Sequence, residues 1–321
     1  MQRVLRRLIR LALLPAFILA AAIPGFAQTY PTRPVTIVLP SAAGGGQDAL
    51  ARQLAEGMSA VMAQQVVVVN RPSVVGQQSV MAAPADGHTL LFDASTLTML
   101  PFLVRNAPFD PEKDFTPITQ YAKTPYVMAI NPSLGIRNLR ELIAYAKANP
   151  NKVAWGVAGV GTPDRLAVAQ FADMAGISIL LVPFRGGGPA LISALANDVH
   201  AVMLPAASVR GPIETGKLIA LGTTATAASS EMPSVPPISG TVPNFEFYSW
   251  YGLWGPKGMP AAVTAQIRAA AQKVAINKEF AERMSKSGYE TIISETPDFI
   301  AFVKSEIVKN GTLIKSLNIK Q

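Results

Sequence analysis

Val35-Thr36-Ile37-Val38-Leu39-Pro40-Ser41-Ala42-Ala43-Gly44-Gly45-Gly46-Gln47-Asp48 reads as a strand, a glycine turn and the start of a helix. The first five residues are nearly all β-branched and lie between Pro34 and Pro40, which marks a short buried strand. Beyond the glycines, Leu50, Leu54, Met58 and Val61 recur near helical spacing, so the chain from Asp48 to Met62 is expected to be a helix. Glycines let the backbone turn freely and admit a ligand close to it. The helix that follows presents unpaired N–H groups and the positive end of its dipole, a setting that favours a carboxylate or phosphate. Asp48 itself is read as a helix cap.

The alternation continues through the chain. Strands are expected at 66–69, 89–92, 127–130, 153–157, 179–182, 201–204 and 218–223. Helices are expected at 138–148, about 164–174, 189–196, 261–275, 278–287 and 297–317. Alternating strands and helices predict an α/β protein with mainly parallel sheets flanked by helices. Prolines mark two joints, Thr124-Pro125 and the aromatic-rich return between Pro243 and Pro256. Two crossings imply a discontinuous first domain, 28–124 plus 249–321, and a second domain, 125–248, inserted within it. A hinged cleft between two such domains is a natural small-molecule site.

Two further segments repeat the opening logic. Trp155-Gly156-Val157-Ala158-Gly159-Val160-Gly161-Thr162-Pro163-Asp164 joins a strand to a helix, but it lacks the dinucleotide fingerprint and the Gly-Lys-Ser/Thr of a phosphate loop. Two such turns, one per domain, suggest a pincer on an anion. Phe184-Arg185-Gly186-Gly187-Gly188-Pro189 opens onto another helix. Arg185 is either a two-pronged partner for a ligand carboxylate or a surface arginine, and the sequence leaves both open. The candidate ligand-binding residues are therefore Ser41, Ala42, Ala43, Gly44, Gly45, Gln47, Val157, Ala158, Gly159, Gly161, Thr162, Phe184, Arg185 and Gly186. Trp250 and Tyr251 are weighed as cleft residues, with core packing the commoner role for aromatics at that density.

Composition removes other classes. The chain has no cysteine, which excludes disulfides, thiolate metal sites and cysteine nucleophiles. Only His88 and His200 offer imidazoles, there is no G-x-S-x-G or H-E-x-x-H motif, and no catalytic residue, metal or cofactor is expected. The start reads as an export signal, with Arg3, Arg6, Arg7 and Arg10 before an apolar run from Leu11 to Ile23 and a cut after Ala27. The full chain carries 28 basic and 20 acidic residues for a net charge of +8, and removing four signal arginines leaves +4. That mild, scattered charge gives no support to nucleic-acid binding. A periplasmic monomer is expected.

These segments together resemble the tripartite tricarboxylate transporter solute-receptor family, often called Bug receptors. The likeness runs from Tyr30-Pro31-Thr32-Arg33-Pro34-Val35 through Gly44-Gly45-Gly46-Gln47-Asp48 and Asn70-Arg71-Pro72. It continues in Ala83-Pro84-Ala85-Asp86-Gly87-His88-Thr89-Leu90-Leu91, in Pro108-Phe109-Asp110-Pro111 and Asn131-Pro132-Ser133-Leu134, and in Ser249-Trp250-Tyr251-Gly252-Leu253. The resemblance implies a two-domain Venus-flytrap fold that closes on a carboxylate through residues 41–48 and 156–165. It also implies delivery of that solute to two membrane permease subunits. The same fold can serve a signalling receptor, and an enzyme on this scaffold would need a nucleophile or titratable pair that the sequence does not display.

The sequence departs from the family inside the loops. Ser41 and Ala42 replace a Phe and a Pro, Val157 and Ala158 remove a hydroxyl, and Phe184 stands where the family has Tyr. The frame matches while the pocket rim differs, which points to a solute larger or less polar than a small di- or tricarboxylate.

Overall fold

In the computed structural model the described residues are 30–317 and 319, apart from 42, 45, 73, 105, 160 and 229–231. The expected export signal and its cleavage point lie outside them, as do Ala42 and Gly45 of the first loop. The chain divides into a unit ending at Thr32 and a unit running from Arg33 to the end. The first shows, among its described residues, a cis Tyr30-Pro31 peptide. The strands and helices of the described residues all lie in the second.

Strand β1 (Val35–Leu39) pairs in parallel with β2 (Val66–Asn70) and with β3 (Thr89–Ala94). Helix α1 (Gly46–Met62) follows β1, α2 (Val74–Met81) follows β2 and α3 (Thr96–Leu103) follows β3. The long strand β4 (Phe115–Ile130) then belongs to two sheets in turn. Its first part, to Pro125, pairs with β9 (Tyr248–Pro256) and with the short β10 (Glu290–Thr291). From Tyr126 onward it pairs with β7 (Ala201–Pro205) and β8 (Ile219–Thr223). Strand β5 (Ala154–Val157) lies parallel to both β6 (Leu180–Pro183) and β7 and completes the second sheet.

Helices α4 (Leu139–Ala148), α5 (Pro163–Ala175), α6 (Gly187–Ala196) and α7 (Ala206–Glu214) belong to the second sheet. Helices α8 (Ala261–Ala275), α9 (Lys278–Lys286) and α10 (Thr296–Ser316) end the chain. The α/β class is as expected, but the sheets are mixed and not mainly parallel. Strand β9 runs antiparallel to β3 and to β4, and β4 antiparallel to β7 and β8. In the first sheet β9 is the strand that opposes β1, β3 and β4, and in the second β4 opposes β7 and the strands parallel to it.

Burial explains why these elements hold. Under the first sheet, Val38, Leu91, Trp250, Trp254 and Phe299 form one core. The second sheet buries Met128, Trp155, Phe171, Met203 and Phe245 on one face. Its other face packs Val127, Val202 and Leu204 against Ala190 of α6 and Val209 of α7. Where the chain crosses between sheets, Thr124 Oγ1 donates to the Gly288 carbonyl at 2.8 Å, and Thr224 Oγ1 accepts the Tyr126 N–H at 2.8 Å while donating to the Phe247 carbonyl at 2.6 Å. These bonds pin the two crossing strands to the loops beside them.

Several elements differ from expectation. β4 begins twelve residues before the expected strand at 127, because Pro117 and Pro125 interrupt its pattern; the register slips beside Pro117. Helices α3 and α7 contain Pro101 and Pro212, which mask short helices in a sequence reading. β9 is buried along nearly its whole length, so it lacks the alternation that marks a half-exposed strand.

Candidate functional site

The loop between β1 and α1 is organised by one carboxylate. Asp48, the third residue of α1, is 5% exposed. Its Oδ2 accepts the Gly44 N–H at 3.0 Å and Arg52 Nε at 2.9 Å, and its Oδ1 accepts Asn70 Nδ2 at 2.9 Å. Asn70 also donates to the Ser41 carbonyl at 3.1 Å and accepts Arg52 Nη2 at 3.0 Å. Burial pushes the Asp48 carboxyl up, but Arg52, the Gly44 amide and Asn70 outweigh it and hold it below the ordinary carboxylate range. Asp48 is therefore less a cap on its own helix than a tie that folds the glycine turn back onto it. Gly44 adopts φ +84°, a left-handed conformation that suits glycine.

The loop between β5 and α5 repeats the device. Asp164, the second residue of α5 and 3% exposed, accepts the Ala158 N–H on Oδ2 at 2.5 Å. Thr162 Oγ1 donates to the Gly159 carbonyl at 3.0 Å. Here burial prevails over the hydrogen bonds from Thr162 and the loop amides, and the carboxyl is pushed up. The Gly44 and Ala158 amides are thus already engaged by their own aspartates. The anion-binding capacity of the first loop resides in the first-turn amides of α1, which an α-helix leaves without intrahelical partners, whereas at α5 Pro163 has no N–H and the Asp164 and Arg165 amides are taken by the Asp164 carboxyl itself.

The predicted residues separate into groups. Ser41, Ala43, Gly44 and Gln47 gather at the start of α1, and Gln47 Nε2 donates to the Phe92 carbonyl at 3.0 Å. Ala158, Gly159, Gly161 and Thr162 gather at the start of α5. A β-carbon on Gly161 would stand 3.0 Å from Leu100 of α3, so this loop reaches an element of the first sheet. The Val157 side chain is buried in the core of the second sheet. The Phe184 N–H donates to the Val157 carbonyl at 2.8 Å, which sets the third loop beside the second. Arg185 is exposed, and Gly186 takes φ +130° just before α6.

Of the floor beneath these loops, sequence reasoning weighed only Tyr251 and missed the rest. Tyr126, Tyr251 and Tyr289 are each at least nine-tenths buried, and Ser249 hydrogen-bonds to the hydroxyls of Tyr126 and Tyr251. Tyr251 stacks on Phe92 with centroids 6.0 Å apart and meets Tyr289 edge-on at 5.7 Å. Burial raises all three phenols above their ordinary range, so they stay protonated and offer neutral O–H donors. Asp164 adds to the rise at Tyr126, which places that phenol near the second loop. A β-carbon on Gly46 would lie 2.7 Å from the Tyr289 hydroxyl, which places that one at the mouth of α1. The pairing of Ser249 and Tyr251 within one aromatic run was the only sequence signal for this floor. Trp250 turns away from it and donates through Nε1 to Glu306 at 2.9 Å within the core.

A cavity of about 290 Å³ opens on the far side of Tyr289. Val127, Ala206, Thr223 and Met232 line it from the second sheet, and Ser285 and Glu290 from the first. None of the described residues among the predicted loop positions lines it, and Tyr289 borders both places.

A third buried carboxyl lies behind the first loop. Asp93, 1% exposed, accepts Gln77 Nε2 at 2.8 Å and the Ala94 N–H at 2.7 Å, and it interacts with Gln47. Burial pushes it up to about 7. The histidines are structural: His200 Nδ1 accepts the Ala154 N–H at 2.8 Å, and His88 Nδ1 lies 3.3 Å from Asp86. Among the described residues there is no cluster of three metal-binding side chains, and no helix is long and apolar enough to cross a membrane.

The fold is shared with known proteins. The family model described as tripartite tricarboxylate transporter family receptor matches residues 50–319. A protein of Pseudomonas sp. (strain P51), the UPF0065 protein in the tcbD-tcbE intergenic region, is 33% identical over 293 residues, 89% of this chain and 87% of that one. The structure of the periplasmic binding protein BugD superposes with a TM-score of 0.84 at 29% identity, covering 91% of this chain and all of that one. R. palustris Rpa4515, solved with adipate, superposes with a TM-score of 0.85 at 27% identity, covering 90% and 98%. With a family match across most of the chain and the same two-sheet fold in its relatives, the protein belongs to the tripartite tricarboxylate transporter receptors, the Bug family of periplasmic solute-binding proteins.

Proposed function

We propose that the protein captures a small organic carboxylate in the cleft between its two sheets and presents it to the membrane permease subunits of a tripartite tricarboxylate-type transporter. The observation that carries this reading is the doubled loop. In each half, a buried aspartate on the first turn of a helix ties back an amide of a glycine loop and so shapes that loop at the helix start. Neutral tyrosine hydroxyls beneath the loops add donors without adding charge. The adipate held by a relative of the same fold supports the same chemistry.

On this reading the two sheets are the cores of two domains, 28–124 plus 249–321 and 125–248. The hinge is the change of partner along β4 between Pro125 and Tyr126. The ligand draws the domains together only by as much as it favours the closed form. Export to the periplasm through the signal at residues 1–27 puts the receptor where such a solute is met.

The test is a thermal-shift screen of residues 28–321 against aliphatic and aromatic carboxylates, adipate included, and their uncharged analogues. A ligand present at 100 times its dissociation constant adds about 2.7 kcal/mol of stability. Shifts confined to the carboxylates are expected. Shifts only from neutral compounds would contradict the reading.

A further inference from the structure

We infer that the cavity beside Tyr289 is the subsite for the uncharged body of the solute, so that the receptor selects a carboxylate with a neutral, partly apolar tail over one charged at both ends. The inference rests on the carboxylate reading and deepens it.

The cavity has the right size and the wrong charge for a second carboxylate. At about 290 Å³ it stands at the small end of small-molecule sites, which run from about 300 to 1,000 Å³. Both halves of the protein wall it, so an occupant would bridge them as the head group does. Val127, Ala206, Met232 and Val235 supply apolar surface, and Thr223 and Ser285 supply hydroxyls. Its one carboxylate or cationic side chain among the described lining residues is Glu290, whose Oε1 lies 3.2 Å from Lys123 Nζ. Among the described residues no cation lines the cavity to compensate a buried anion, and an unpaired charge there would be costly. The strand–helix loops, not the cavity, must therefore take the carboxylate.

Tyr289 joins the two places. Its ring walls the cavity while its hydroxyl sits at Gly46, the first residue of α1. That hydroxyl is buried and has no partner at good hydrogen-bonding geometry, although the Tyr251 hydroxyl is close enough to interact with it. A carboxylate at the mouth of α1 supplies the missing acceptor, and a tail leading away from it passes along the Tyr289 ring.

Titration calorimetry with propionate, hexanoate and adipate tests this. Wild-type protein is expected to bind hexanoate at least tenfold more tightly than adipate or propionate. Thr226→Trp, at an exposed position on the cavity rim, is expected to weaken hexanoate at least tenfold and to leave propionate within twofold. Tyr289→Phe is expected to weaken both monocarboxylates severalfold while keeping the thermal midpoint of the wild type. Adipate binding more tightly than hexanoate, or a Thr226→Trp protein that is still folded and binds hexanoate normally, would overturn the tail subsite. Unchanged affinities in Tyr289→Phe would overturn the role of the hydroxyl. Failure of the wild type to bind any carboxylate would remove the carboxylate reading and this inference with it.

Discussion

Asp48 and Asp164 stand at matching places, each on the first turn of the helix that follows a glycine loop, and each ties back an amide of that loop. Their surroundings differ. Asp48 has Arg52 one turn further on, and its carboxyl is held low. Asp164 has Val168 at the corresponding position, and burial pushes its carboxyl up. The first loop is thus fastened by an ionised pair. The second is fastened by a buried carboxyl whose desolvation outweighs its hydrogen bonds. One fold motif thus supports two differently fastened jaws.

The largest effect is expected at neither loop but at Asp93, which shows what burial does without a cation. Its folded carboxyl titrates near 7 against an unfolded value near 3.8. The folded state therefore loses stability as pH rises from about 4 to 7 and loses no more above that. Asp93→Asn escapes the penalty and should gain on the wild type through that window, by at most about 4 kcal/mol at pH 8. Urea unfolding at pH 5 and pH 8 reads this directly, and a difference that does not grow with pH would remove Asp93 from the account.

The loops themselves come next. Asp48→Ala breaks three charge-assisted bonds and should cost about 3 kcal/mol at pH 7. Asp164→Asn removes a carboxyl that gains little from ionising and should cost less than about 1 kcal/mol. Because the folded Asp48 carboxyl lies below its unfolded value, its stabilisation is full above about pH 4 and fades as pH falls through the lowered value. The Asp164 shift has the opposite sign, so Asp164→Asn should gain on the wild type as pH rises above about 4. Equal costs and parallel pH profiles for the two variants would erase the distinction between the jaws.

Glycine substitutions give a smaller contrast. At Gly44 a β-carbon meets nothing within 4 Å, but the left-handed backbone penalises valine by about 1–2 kcal/mol. At Gly159 the backbone is not left-handed and a β-carbon would lie 3.3 Å from Thr162 Cγ2, so Gly159→Val should cost under about 1 kcal/mol. Both should still weaken ligand binding at least tenfold by blocking approach, and calorimetry beside unfolding curves separates the two effects. Smallest of all, Arg185→Ala should change stability by no more than about 0.5 kcal/mol, since the side chain is exposed. A loss of affinity in that variant would decide between the two readings of Arg185.

The loops were legible in the sequence because a glycine turn between a β-branched run and a helical period has one local meaning. β1, α1, β5 and α5 accordingly lie within two residues of where the pattern puts them. The floor was not legible. Tyr126, Ser249 and Tyr289 come from three distant segments, and only the pairing of β4 with β9, together with the turn after α9, brings them together. Local pattern carries no record of such a meeting. The same holds for Asp93, which reads as one polar residue in an apolar strand until Gln77 and Gln47 are seen around it. Strand β4 was shortened by its own prolines, and with it went the signal that the sheets would be mixed.

On this reading the two strand–helix loops hold one carboxylate between them. A crystal structure of the protein grown with the carboxylate that shifts its melting most would test it most directly. A carboxylate is expected within hydrogen-bonding distance of the first-turn amides of α1 and against the loop between β5 and α5, with the Tyr289 hydroxyl alongside. A carboxylate lodged in the cavity near Glu290, or away from both helix starts, would contradict this.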